Sequence, residues 1–220
     1  MRTVVFDLDG TLADTSGDLL NAANACFRAE GYGDLLGPAD SATAMKGGRS
    51  MLTLGYARVG REWTEADMTA GYARLVAAYA EDIATHTFLY PGAVQAIEAL
   101  RLNGFATAIC TNKPAALAET LMTRLGVRGL FGSLVGADTL PVRKPDAAPF
   151  VLAVERAGGL VARSMMVGDT DTDRRTGAAA GVPVALVTFG PDGGEVAQFA
   201  PEALLHHFDD LPALADRLLR

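Results

Sequence analysis

Short, unbroken apolar runs alternate along this chain with longer stretches whose apolar residues recur every three or four positions. The runs at 3–8, 105–111, 133–135, 164–168 and 183–188 lack polar alternation and are bounded by turn residues, as strands buried on both faces are. Between them, 92–103, 114–126, 146–158 and 171–181 carry helical periodicity, and several of these segments stop at a glycine. Strand, helix and strand repeated in this order predict an α/β fold. Its core is a doubly wound parallel sheet of Rossmann-like type with right-handed crossovers.

The alternation has one gap. From about Asp14 to Tyr90 no strand is evident, but helical segments fall at 17–30, 50–60 and 65–83, separated by glycine and proline. This pattern predicts a small all-helical cap domain (14–90) inserted after the first strand of an α/β core domain (1–13 and 91–220). A last short strand is expected at 204–208 and a terminal helix at 211–220. No internal repeat or low-complexity segment is evident.

Composition narrows the class of protein. Half of the 220 residues are hydrophobic and a fifth are charged, which excludes a disordered chain. A chain of this length buries roughly 70% of the surface its unfolded form exposes, enough for a core without disulfides or structural metals. The formal charge is −7, which argues against a nucleic-acid partner but not against a small anion in a local basic pocket. Cys26 and Cys110 stand far apart without zinc-ligand spacing, so a reducing compartment is expected. The N-terminus lacks the shape of a leader peptide. The longest apolar stretch, 177–190, is broken by Pro183 and is too short to cross a bilayer. A soluble, cytoplasmic protein without a membrane partner is expected, and the sequence is silent on its oligomeric state.

In an open parallel sheet, ligands bind beyond the carboxyl ends of the strands. The residues there are Asp7-Leu8-Asp9-Gly10-Thr11 after the first strand and Thr111-Asn112-Lys113-Pro114 after the second. Arg143-Lys144-Pro145 precedes a helix, and Gly168-Asp169-Thr170-Asp171-Thr172-Asp173 follows the fourth strand. If the first strand continues, Asp7 and Asp9 face the same side. Carboxylates gathered this way repel unless a cation sits among them, and all-oxygen ligation suits Mg²⁺. Thr111 and Lys144 offer a hydroxyl and a positive charge to a phosphate. A carboxylate beside such a phosphate can act as nucleophile, while a second carboxylate moves the protons. The chain has only three lysines, Lys46, Lys113 and Lys144, against 16 arginines, and all three lie in loops flanked by glycine or proline. A compact point charge is what lysine offers there.

These motifs, in this order, resemble the four signature motifs of the haloacid dehalogenase superfamily, and the similarity covers essentially the whole chain, cap position included. The resemblance implies Asp7 as nucleophile, Asp9 as general acid/base, and Mg²⁺ held by the Asp7 carboxylate, the Asp9 backbone carbonyl and Asp169. It implies that Thr111, Lys144 and Asn112 bind the transferring phosphoryl group, with Asp173 orienting Lys144 or a metal-bound water. Asp171 is read as an N-terminal helix acid.

Within the superfamily, dehalogenases and phosphonatases lack the second aspartate of the first motif, so Asp9 favours phosphoester chemistry. The related β-phosphoglucomutases carry histidine where this chain has Leu19. The 109–114 run, Tyr90-Pro91-Gly92, Arg143-Lys144-Pro145 with Pro149, and the glycines of 190–194 look like those of phosphoglycolate phosphatases. The expected activity is therefore Mg²⁺-dependent hydrolysis of a small phosphorylated metabolite through an aspartyl-phosphate. Phosphoglycolate is the leading substrate. Inorganic pyrophosphate, a sugar phosphate and a phosphomutase reaction are the alternatives, with a non-enzymatic phosphate sensor as the reading from another class. Cap closure over such a site would exclude water. In the cap, Lys46-Gly47-Gly48-Arg49 places two cations around a helix start, so Lys46 or Arg49 is expected to meet an anionic group of the substrate. Trp63 is expected to pack between cap helices, and the three histidines to be structural.

Overall fold

A computed structural model describes residues 1–220. The chain forms two compact units, one of Met1–Asp14 with Leu89–Arg220 and the other of Thr15–Phe88. The first is the α/β unit. Its six strands, β1 (Thr3–Phe6), β4 (Ala106–Cys110), β5 (Ser133–Val135), β6 (Ser164–Gly168), β7 (Val184–Val187) and β8 (Ala203–Leu205), form one sheet in the order β5-β4-β1-β6-β7-β8. Every pairing is parallel, with Val4 opposite Thr107 on one side and Met165 on the other. The numbering runs outward from β1 in both directions, so the order reverses beside β1. That is where an open sheet leaves a crevice at its carboxyl ends.

The sheet lies between two layers of helices because its strands are apolar on both faces. Val4, Val5, Phe6, Met165, Met166 and Val167 are all fully buried. Helices α5 (Ala93–Leu102), α6 (Ala115–Arg124), α7 (Ala147–Arg156), α8 (Asp171–Ala180) and α9 (Leu211–Leu218) supply the cover. Phe150, Ala153 and Val154 of α7 join Val5, Ala108, Met166 and Val184 in one cluster, which shows how a single helical stripe closes over several strands. The crossover helices fall where periodicity predicts them. The last strand is shorter than expected: Phe208 leaves β8 to open a 3₁₀ turn ahead of α9.

The second unit is built from helices α1 (Ser16–Ala29), α2 (Ser41–Met45), α3 (Gly48–Arg58) and α4 (Glu65–Glu81). Buried Phe27 of α1 meets Tyr56 of α3 edge-on, with ring centroids 5.6 Å apart. Asp18 ties the unit's two chain ends together. Its buried carboxylate accepts hydrogen bonds from the backbone N–H groups of His86 and Thr87, each at 2.9 Å, and from the Thr87 hydroxyl at 2.7 Å. Trp63 corrects an expectation, since it is 39% exposed on the connection into α4 rather than packed between helices. The two-residue strands β2 (Ala13–Asp14) and β3 (Phe88–Leu89) pair in a separate ribbon, which sequence periodicity missed because two residues carry no period.

Candidate active site

The carboxyl ends of β1, β4 and β6 carry the charged residues of the α/β unit's core. Strand β1 ends at Phe6, earlier than its apolar run suggests, so Asp7 and Asp9 do not share the face of a continuing strand. The chain turns instead: the N–H groups of Thr11, Leu12 and Ala13 all donate to the Leu8 carbonyl. Buried Leu8 makes the run look longer than the strand. The turn requires Gly10, whose φ is +79°, and an added Cβ there would lie 2.3 Å from Asp169 Oδ2.

As a result the two aspartates face different lysines. Asp7 Oδ2 lies 3.0 Å from Lys144 Nζ, and its Oδ1 accepts the Leu8 N–H at 2.7 Å. Asp9 receives Lys113 Nζ on both carboxylate oxygens, at 2.8 and 3.1 Å. Lys144, almost fully buried, also donates to Asp173 Oδ1 at 2.7 Å. The other oxygen of Asp173 accepts from the Asp169 N–H, the Thr170 N–H and the Thr170 hydroxyl. This closes the N-terminus of α8 with a capping box, and Gly168 makes room for it: a Cβ on Gly168 would lie 2.3 Å from Asp173 Cγ. Asp169 Oδ1 accepts the Thr11 hydroxyl at 2.6 Å. Asp171 begins α8 and stands 3.8 Å from Arg175, as a helix N-terminal acid does.

On β4's carboxyl end, buried Thr111 accepts the Lys113 N–H at 3.2 Å through its hydroxyl oxygen. Asn112 is exposed, and its amide donates to the Lys144 backbone carbonyl at 3.1 Å, just ahead of the cis Lys144–Pro145 bond. The loops after β4 and before α7 are therefore joined through Asn112. Cys110 is a core residue whose thiol burial has pushed up to about 12.

The electrostatics are those of too many carboxylates. Burial above all lifts Asp7 to about 6, with Lys144 pulling it down and Asp173 and Asp9 pushing it up. Burial, then Asp173 and Asp7, raise Asp169 well above the ordinary carboxylate range, against the Thr11 hydrogen bond. Burial opposes the charge of Lys144, but Asp173 and Asp7 outweigh it and hold the ammonium above its usual range. With every aspartate ionised, four against two lysines leave this cluster two negative charges in excess, and burial together with that excess drives Asp7 and Asp169 toward holding protons. Oxygens of Asp7, Asp169 and Asp173 all lie within 4.8 Å of one another, close enough to gather round a metal ion, with Asp173 already serving Lys144 and the α8 cap. An all-carboxylate set suits a hard divalent cation, and the excess charge matches one.

Asp7, Asp9, Thr111, Asn112, Lys144, Asp169 and Asp173 thus come together. Lys46 and Arg49 belong to the helical unit. Lys46 is exposed at the end of α2, Gly47 with φ +95° precedes α3, and Arg49 pairs with Glu65. Their expected contact with substrate rests on sequence alone. Two site contacts were missed. Thr11, read only as part of a motif, fixes Asp169, and Lys113, read only as a loop lysine, grips Asp9. The scarcity of lysine in this chain was the available signal for the second.

Residues 1–181 match the family model of haloacid dehalogenase-like hydrolases. A phosphoglycolate phosphatase of Mesorhizobium japonicum is 37% identical over 218 residues, spanning 99% of this chain and 96% of that protein. One from Cereibacter sphaeroides is 36% identical over 219 residues and the full length of both. Among solved structures, a predicted phosphoglycolate phosphatase of Haemophilus somnus superposes with a TM-score of 0.82 at 25% identity over 97% of each chain.

Proposed function

Because this chain belongs to the haloacid dehalogenase-like hydrolases, we propose that it is a Mg²⁺-dependent phosphomonoester hydrolase acting through an aspartyl-phosphate on Asp7, with 2-phosphoglycolate as substrate. The observation that carries this reading is the buried Lys144 ammonium, 3.0 Å from Asp7 and 2.7 Å from Asp173. It fixes a positive charge beside the nucleophile, where a phosphoryl oxygen needs neutralising. The names of the full-length relatives supply the substrate.

In the first step an Asp7 carboxylate oxygen bonds to phosphorus and the phosphorus–oxygen bond to the leaving group breaks. Asp9 gives its proton to the departing oxygen. In the second step water attacks phosphorus, passes a proton to Asp9, and the bond to Asp7 breaks to release phosphate. Lys144 and the Thr111 hydroxyl hold phosphoryl oxygens, and Asn112 steadies the Lys144 loop. Mg²⁺, held by Asp7, Asp169 and the Asp9 backbone carbonyl, would lower the charge repulsion between nucleophile and phosphate. Asp173 has its oxygens occupied by Lys144 and the α8 cap, so we assign it to orienting Lys144.

The test is phosphate release from 2-phosphoglycolate, pyrophosphate and a set of sugar phosphates, with Mg²⁺ and with a chelator. Chelator-sensitive release favouring 2-phosphoglycolate is expected. Preference for pyrophosphate or a sugar phosphate would move the substrate while keeping the chemistry, and no release from any would overturn the reading.

A further inference from the structure

Two lysines divide the aspartates of this site between them. Lys144 takes Asp7 and Asp173, whereas Lys113 takes both oxygens of Asp9. We propose that Lys113 is a positioning residue for Asp9: it fixes the direction of that carboxylate and keeps it apart from the neighbouring cluster of Asp7, Asp169 and Asp173. The inference rests on Asp9 being the acid/base of the proposed reaction.

Three observations support it. The ammonium meets both oxygens, so it sets the direction in which the carboxylate opens as well as its distance. Its base is rigid: the Lys113 N–H donates to Thr111 Oγ1 at 3.2 Å, and its carbonyl accepts the Ala137 N–H at 3.0 Å, which clamps the residue between the ends of β4 and β5. Gly136 lets the backbones close up there, since an added Cβ would lie 2.8 Å from the Lys113 carbonyl oxygen and 2.4 Å from Ala115 N. The exposures are unequal. The Lys113 side chain is 4% exposed and that of Asp9 20%, so a buried anchor holds a carboxylate that still reaches solvent, as a group meeting a leaving group must.

The cluster shows what this partition prevents. Asp7, Asp169 and Asp173 have oxygens close enough to share a cation, and the Asp9 side chain is outside that set. An Asp9 carboxylate released from Lys113 would be drawn by any cation held there and turned away from the departing oxygen. Lys144, engaged with Asp7 and Asp173, does not replace Lys113.

A positioning role has a signature that a structural ion pair lacks. Proton donation matters for an alkoxide leaving group and little for a nitrophenolate, which departs unaided. In the full-length protein with Mg²⁺, kcat/KM is measured for 2-phosphoglycolate and for p-nitrophenyl phosphate in wild type, Lys113→Met, Lys113→Gln, Lys113→Arg and Asp9→Asn. We expect Lys113→Met and Lys113→Gln to lose about ten-fold or more in 2-phosphoglycolate relative to p-nitrophenyl phosphate, and Lys113→Arg to recover part of that ratio. Asp9→Asn is expected to show the same selective loss. Equal losses for both substrates, or none, in folded Lys113→Met and Lys113→Gln would overturn the positioning role if Asp9→Asn remains selective. If Asp9→Asn is itself unselective, it is the acid/base reading that fails. Thermal melting of each variant separates misfolding from mispositioning, and Lys113→Arg, which keeps the charge, carries the test if the neutral variants do not fold.

Discussion

Asp7 is held by a neighbour on each oxygen, and its chemistry follows from that confinement. Burial and adjoining carboxylates raise Asp7 to about 6 and Asp169 in the same direction. Between the ordinary carboxylate value of 3.8 and about 6, the folded protein therefore binds more protons than the unfolded chain. The stability that Asp7 gives is complete below that interval and is lost as pH rises through it, and Asp169 acts with the same sign. The metal-free protein should accordingly melt at lower temperature at pH 7 than at pH 5, as differential scanning calorimetry would show. The stabilisation by added Mg²⁺ should be larger at pH 7, where it no longer competes with protons. A Mg²⁺ effect that shrinks with rising pH would contradict this account. Asp7→Asn should remove turnover by three orders of magnitude or more, on the order of what a lost nucleophile costs.

At the scale of elements, the site depends on close approaches that only glycine permits. Gly168 ends β6 against the Asp173 carboxylate, so Gly168→Ala should push that group off Lys144 and the α8 cap. The expected cost is about 2 kcal/mol or more in stability, read by urea denaturation, with a fall in kcat. In the helical unit, Asp18→Ala should leave three donors near His86 and Thr87 without their acceptor. A loss of about 2–3 kcal/mol is expected, followed by the fluorescence of Trp63, the only tryptophan, which lies in that unit. The strands and helices were legible because a sheet buried on both faces demands unbroken apolar runs and its cover demands a helical stripe. The early end of β1 was not, because Leu8 is buried in a turn and extends the apolar run past the strand. Nor were β2 and β3, too short to show alternation. The grip of Lys113 on Asp9 spans 104 positions, and no local pattern encodes a pairing made only when two loops fold onto one sheet edge.

The whole molecule combines a six-stranded α/β unit with a helical unit inserted after its first strand, and no helix is long and apolar enough to cross a membrane. At one point of it four aspartates meet two lysines, a formal excess of two negative charges. A folded protein that carries such a cluster gains most from a ligand that neutralises it, so the proposed mechanism links stability, metal binding and catalysis. The order of strands outward from β1 assembles this cluster from segments that are remote in sequence, so the motifs were readable one by one and their partners were not. On the proposed mechanism, Asp7 carries the phosphoryl group during turnover. This is tested most directly by acid-quenching the enzyme while it turns over 2-phosphoglycolate with Mg²⁺ and weighing the peptide that contains Asp7 by mass spectrometry. A phosphorylated peptide is expected in the wild type, accumulating further in Asp9→Asn and absent in Asp7→Asn and in chelator. Sustained turnover with no phosphate on that peptide in either the wild type or Asp9→Asn would contradict the mechanism.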